Sequence, residues 1–198
     1  MAADYSQMAI NLDHFYNFEG KVVVFVGAGT KQLLDVSRKP KRTIAIDQSA
    51  ETLQQLRQQV EAQHLESAVE IIHSDFCDVN ARGDVVYFEF CLHEMPDPGM
   101  ALAHAKTLAL DIVVFDHAPG SEWAYMAAEE DKVSRSAQAM ERFGIRAREI
   151  FRTDQIFKDY AELLAKISPQ GPLAVERAAR FMNVTGIAIP MGYGLTLL

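Results

Sequence analysis

The segment Lys21-Val-Val-Val-Phe-Val-Gly-Ala-Gly-Thr30 restricts the fold more than any other part of the chain. Five apolar residues, four of them valine, run from Val22 to Val26 and stop at Gly27-Ala28-Gly29. A short, unbroken, β-branched run is the pattern of a strand buried on both faces. Glycines at its carboxyl end allow a tight turn and let backbone approach a ligand with no Cβ in the way. Thr30 can cap a following helix over Gln32 to Arg38. Strand, glycine turn and helix together form the opening unit of a nucleotide site in a doubly wound α/β sheet. Alone the signal is weak, because many buried strands end in glycine turns.

The segments downstream alternate in the same way. Arg42-Thr-Ile-Ala-Ile-Asp47 predicts a second strand, ending in an acid 20 positions after Gly27. Ser49 can cap a helix that carries Leu53, Leu56 and Val60 at helical spacing. Further strands are predicted at Val69 to His73, Asp84 to Phe90 and Asp111 to Phe115, with a helix from Asp97-Pro98 to Leu108 between the last two. One long helix is predicted from Ser121-Glu122 to Gly144, its stripe including Trp123, Met126, Val133, Ala137 and Met140. Arg148 to Phe151 reads as a sixth strand, followed by helix with Phe157, Tyr160, Leu164 and Ile167 on one face. Ser168-Pro-Gln-Gly-Pro172 breaks the chain, a short helix over Val175 to Arg180 follows, and Val184 to Ile189 closes the fold as a strand. Ahead of the first strand, Tyr5, Met8, Leu12, Phe15 and Tyr16 share a helical face. The expectation is one α/β unit over residues 1–198, with 1–19 as a lid or flanking helix and 153–180 as a helical insertion between the last two strands.

Composition excludes several classes of function. A chain of 198 residues, 49% hydrophobic, suits one domain burying roughly 70% of its unfolded surface. Its formal charge of −8, from 19 basic and 27 acidic residues, argues against a general nucleic-acid or anionic-membrane surface. No signal peptide or spanning helix is legible, so a cytoplasmic protein is expected. Cys77 and Cys91 are too few for a disulfide framework and lack metal spacing. Asp116-His117 offers two adjacent ligands, a poor signature, so no metal site is expected.

Three features follow strands at one end of the predicted sheet: the glycine turn, Asp47 and Asp75-Phe76. In a parallel sheet the carboxyl ends of the strands share an edge, so these groups converge on a crevice. An acid after the second strand is suited to accept hydrogen bonds from ribose hydroxyls. An acid after the third can accept from an adenine amine, with Phe76 against the base.

With these residues the chain resembles the class I, Rossmann-like family of S-adenosylmethionine-dependent methyltransferases, small-molecule type. The resemblance rests on Gly27-Ala28-Gly29, Ile46-Asp47, Ser74-Asp75-Phe76 and Leu92-His-Glu-Met-Pro-Asp-Pro98. It implies a Rossmann-like three-layer sandwich with a mostly parallel seven-stranded sheet, the last strand antiparallel at the sheet edge. It also implies S-adenosylmethionine as cofactor and S-adenosylhomocysteine as product. Val26, Gly27, Ala28 and Gly29 would hold the methionine part, Asp47 and Gln48 the ribose, and Asp75 and Phe76 the adenine. His93 and Glu94 would face a small-molecule acceptor as the catalytic pair, with no nucleic-acid or membrane partner; a homodimer is compatible with it.

Two positions depart from the family pattern. Phe25 stands where an acid is usual, and Lys31 occupies the third glycine position. Glu89, a charge at the end of an apolar strand, is the candidate to replace the missing acid, because burying it is costly unless it is paired. A neutral His93 can take a proton from an acceptor, worth roughly 10²–10⁴-fold in rate, or it can simply pack its loop. Trp123 and Tyr125 can wall an acceptor pocket or join the core. Two rival readings remain: a non-catalytic cofactor-binding or assembly protein of the same fold, and an NAD-dependent oxidoreductase. The second is disfavoured by Gln32 at the last position of Gly-x-Gly-x-x-Gly.

Overall fold

The computed structural model describes residues 5–28 and 39–198. Gly29, Thr30, Lys31 and the helix expected over Gln32 to Arg38 lie outside the described residues. Seven strands, β1 (Val22–Val26), β2 (Arg42–Asp47), β3 (Val69–His73), β4 (Val85–Glu89), β5 (Asp111–His117), β6 (Ala147–Asp159) and β7 (Thr185–Leu197), form one sheet in the order β3-β2-β1-β4-β5-β7-β6. The first five are parallel and β7 runs antiparallel to both its neighbours. β1 lies between β2 and β4, with Phe25 opposite Ala45 on one side and Tyr87 on the other. The valine run therefore sits mid-sheet, with Val23 to Val26 buried, where an apolar strand is the stable choice.

Helices cover both faces. Met8 and Leu12 of α1 (Tyr5–Phe15) and Leu53, Leu56 and Val60 of α2 (Ala50–Ala62) pack on one face with Phe25 and Tyr87. Trp123 and Met126 of α4 (Glu122–Met126), Leu163 and Ile167 of α6 (Tyr160–Ile167) and Ala174 and Ala178 of α7 (Pro172–Ala178) join them. α3 (Pro98–Leu108) and α5 (Glu130–Phe143) cover the other face through Ala101, Leu102, Ala105, Ala139 and Met140. Ser49 caps α2, accepting from the Thr52 N–H, and Asp97 caps α3, accepting from Met100, as their sequence positions predict. α1 is tied down as a flank: its Asn11 amide donates to Tyr193 Oη at 2.7 Å, and just beyond it Tyr16 Oη donates to Asp111 Oδ2 at 2.7 Å. Among the described residues no helix is long and apolar enough to cross a membrane.

Four expectations need correction. β6 does not end at Phe151 but continues to Asp159, so Phe157 is a strand residue and the helical insertion starts at Tyr160 rather than 153. Its burial alternates, with Gln155 and Phe157 inward and Asp154, Ile156 and Lys158 outward, which is strand period and not helix period. β7 likewise extends past Ile189 to Leu197. Pro190 is tolerated because β5 pairs only with residues from Tyr193 onward, so at Pro190 the strand has β6 alone beside it. β7 is not the sheet edge, since β6 pairs outside it. Finally, the helix predicted from Glu122 to Gly144 is broken between Met126 and Glu130, with Ala128 at φ 57°.

Candidate active site

Most of the residues expected to hold a cofactor lie together at the carboxyl ends of β1, β2 and β3. Val26, Gly27, Ile46, Asp47, Gln48, Ser74, Asp75, Phe76, Cys91, Glu94, Met95 and Pro96 line a cleft of about 250 Å³. The Gly27 and Ala28 N–H groups both donate to Ile46 O, at 3.1 and 3.3 Å, which folds the glycine turn against the end of β2. Gly27 has φ 79°, and a Cβ on it would lie 2.8 Å from Cys91 Cβ. Glycine is required there on both conformational and steric grounds.

Each acid is held by its own turn. Asp47 Oδ1 accepts the Ser49 N–H at 2.8 Å, and Asp75 Oδ1 accepts the Cys77 N–H at 2.8 Å. One oxygen of each carboxylate fixes the side chain, and the second remains as an acceptor for a ligand. The Gln48 carbonyl lies 3.0 Å from His73 Nε2, which joins the loop after β2 to the end of β3. Phe76 is 4% exposed, edge-on to Phe88 and His104, so its ring is a rigid wall of the cleft.

Ala28 and Glu89 do not line this cleft. Ala28 is fully buried in the core. Glu89 is 3% exposed on the α1 side of the sheet, accepts the Tyr87 hydroxyl at 3.2 Å and contributes to the raised pKa of Tyr5. Phe25, at the position where the family has an acid, is fully buried and packs edge-on against Tyr87 at 4.8 Å. Burying a Phe side chain contributes about 1.5–3 kcal/mol, so packing rather than charge occupies that position. Of the two proposed wall residues, Trp123 is core, stacked on Phe157 at 5.7 Å, while Tyr125 is exposed with the Arg177 guanidinium 3.9 Å from its ring centre.

Beside the cleft lies a largely buried ionisable cluster in which His93, Glu94, Asp116 and His117 meet Glu129 and Lys132, two residues the sequence did not single out. Phe90, at φ 46°, turns the chain after β4 and carries His93 over the end of β5. There His93 Nδ1 meets Asp116 Oδ1 at 2.5 Å, and the His93 N–H donates to Asp116 Oδ2 at 2.9 Å. His93 Nε2 lies 3.4 Å from Glu94 Oε1 and 3.8 Å from Glu129 Oε2, and His117 Nε2 lies 4.0 Å from the same Glu129 oxygen. Lys132 donates to Glu94 Oε2 at 2.7 Å.

The electrostatics of the cluster separate its members. Burial works against a charge on His93, but hydrogen bonds to Asp116 and Glu94 outweigh it and push the imidazole up to about 10. The His93 interaction, with help from Lys132, holds Glu94 down to about 2. Burial drives His117 down to about 4 and Glu129 up to about 7. These partners favour the charged form of His93, which works against the neutral-base role, one of the two open to it from sequence. Asp116 was legible as an acid at the end of a strand. Glu129 was not, because its placement depends on the break between α4 and α5, where no glycine or proline marks a turn.

The fold and cleft can now be set beside known proteins. Residues 24–109 match the family model described as a methyltransferase domain. That segment of the chain is similar to a methyltransferase domain. The chain's fold is the class I, Rossmann-like type, and similar solved structures share that fold across nearly the whole chain. A candidate methyltransferase from Bacillus halodurans C-125 is 15% identical with a TM-score of 0.71, covering 96% of this chain and 97% of that chain. A methyltransferase from Thiobacillus denitrificans, solved with S-adenosyl-L-homocysteine, is 16% identical with a TM-score of 0.63, over 96% and 90% of the two chains. The [4+2]-cyclase SpnF is 14% identical with a TM-score of 0.60, over 96% and 79%. The fold alone thus names no acceptor. No curated protein matches the sequence.

Proposed function

We propose that this protein is a methyltransferase that transfers the methyl group of S-adenosylmethionine to a small-molecule acceptor, releasing S-adenosylhomocysteine. The observation that carries this reading is the convergence of Gly27, Asp47, Asp75 and Phe76 on one cleft. Asp47 takes the ribose hydroxyls, Asp75 the adenine amine, and Phe76 flanks the base. The close approach allowed at Gly27 accommodates the methionine part. His93 and Glu94 stand at the acceptor end, because Glu94 lines the cleft and His93 connects it to the buried cluster behind.

Chemistry at this site is mainly alignment. The acceptor's lone pair attacks the methyl carbon in line, the C–S bonding electrons return to sulfur, and proximity supplies most of the rate. The acceptor's proton leaves toward the cluster, where Glu129 has the pKa nearest neutrality. The net charge of −8 favours a small acceptor over a phosphate polymer.

Two experiments test the proposal. Calorimetric titration with S-adenosylhomocysteine and with NADH should show binding of the first only. S-adenosylmethionine labelled in its methyl group, incubated with the protein and a cell extract, should place label in the low-molecular-weight fraction. Label confined to RNA or protein overturns the acceptor class, and failure to bind S-adenosylhomocysteine overturns the cofactor assignment.

A further inference from the structure

We propose that His93, His117 and Glu129 form a binding site for a divalent first-row transition-metal ion of the zinc or iron(II) class. The three residues come from separate places in the chain: the loop after β4, the end of β5 and the break between α4 and α5. One ligand atom from each lies within 4.8 Å of the other two, and all three side chains are at most 7% exposed. Two imidazoles and one carboxylate are a ligand set suited to zinc or iron(II) rather than to calcium or magnesium, which take oxygen. Ligand atoms bonded at about 2.1 Å around a tetrahedral ion lie about 3.4 Å apart. The observed separations of 3.8 Å (His93 Nε2 to Glu129 Oε2) and 4.0 Å (His117 Nε2 to Glu129 Oε2) close to that value by small side-chain rotations.

Two further observations point to an ion. Asp116 accepts at Oδ1 from His93 Nδ1 at 2.5 Å and from the His117 N–H at 2.8 Å, while its Oδ2 takes the His93 N–H. A carboxylate on Nδ1 orients the ring and leaves Nε2 as the ligating nitrogen, the arrangement that supports metal-bound histidines. Of the two His117 nitrogens, Nε2 is the one that faces the site, 4.0 Å from Glu129 Oε2, while Nδ1 is buried without a hydrogen-bond partner among the described residues. Around the site, the carboxylates of Asp116, Glu94 and Glu129 face Lys132 and the His93 imidazole, and a dication that displaces the proton on His93 Nε2 would take over the charge which that proton supplies.

The ion would lie beside Glu94, at the border of the cofactor cleft, so an oxygen, nitrogen or sulfur of the acceptor would complete its coordination. With the ion bound, Glu129 is a ligand and Glu94 is the carboxylate left facing the cleft. This role rests on the methyl-transfer reading; ion binding itself does not.

The test is titration of chelator-treated protein with Zn²⁺ by calorimetry and with Co²⁺ by visible absorption. One ion per chain is expected, with cobalt bands of a site with four or five ligands. His117→Ala and Glu129→Gln should each weaken Zn²⁺ binding at least about 100-fold, and Asp116→Asn about 10- to 100-fold. His14→Gln, remote from the cluster, should leave it unchanged. Circular dichroism reports folding of each variant, and Glu129→Gln, which keeps the side-chain shape, decides if His117→Ala does not fold. A parallel S-adenosylhomocysteine titration separates this result from the cofactor assignment. No stoichiometric ion in the wild type, or wild-type affinity in a folded His117→Ala or Glu129→Gln variant, overturns the site.

Discussion

Replacing Asp47 tests the cofactor assignment most directly, and its two substitutions separate charge from geometry. Asp47 Oδ1 accepts the Ser49 N–H at 2.8 Å, while the side chain lines the cleft with Gln48 and Asp75. Hydrogen bonds from ribose hydroxyls to a carboxylate are worth about 1.5–3 kcal/mol, and to a neutral acceptor about 0.5–1.5 kcal/mol. Asp47→Ala should therefore weaken S-adenosylhomocysteine binding about 10- to 150-fold. Asp47→Asn keeps an oxygen for Ser49 and for one ribose hydroxyl, so its loss should be about 5- to 10-fold. The Ala variant also loses the local turn, costing up to about 1 kcal/mol of stability because the Ser49 N–H can turn to water; the Asn variant should not. Calorimetry on each folded variant gives the affinities, and urea denaturation gives the stabilities. A folded Asp47→Ala protein that binds S-adenosylhomocysteine like the wild type refutes the reasoning.

Three other outcomes follow from the geometry. Gly27→Ala must hold an alanine at φ 79° against Cys91, costing about 1–2 kcal/mol for the backbone and about 1–3 kcal/mol for the overlap; Cys91→Gly in the same chain should restore only the second part in denaturant titrations, and an additive double mutant argues against the contact. Glu89→Gln keeps an acceptor for the Tyr87 hydroxyl and lies outside the residues that line the cleft, so it should leave S-adenosylmethionine affinity unchanged, whereas a loss larger for S-adenosylmethionine than for an analogue without its amino group returns Glu89 to the site. Asp111 is held below its ordinary 3.8: burial would raise it, but Tyr16 and Arg146 stabilise the charged form. Its contribution is thus present above that ordinary value and is lost as pH falls through the depressed one. Asp111→Asn should cost about 1–2 kcal/mol at pH 7 and progressively less in acid, and a pH-independent difference rules out the ion pair as its source.

The sequence by itself determined the parallel half of the fold and much of what lines the cleft. Val22–Val26 and Arg42–Asp47 are too apolar to lie anywhere but inside a covered sheet, and parallel strands put their carboxyl ends on one edge. Gly27, Asp47 and Asp75 were therefore bound to meet, because each directly follows or ends a strand whose neighbours the pattern already implied. Local rules also sufficed for the caps at Ser49 and Asp97. Only the tertiary structure decided the rest. Residues 152–159 remain strand because β7 pairs with them along their length, a contact about 30 residues away that no local pattern encodes. The break at Ala128 lies in a run with no helix breaker, so packing outweighs propensity there. That break brings Glu129 to His93 and His117, and Phe90 carries His93 to Asp116. Charges depend on such distances as sequence spacing does not. A histidine that sequence leaves open as base or packing residue is pushed toward its charged form once the carboxylates of Asp116, Glu94 and Glu129 surround it.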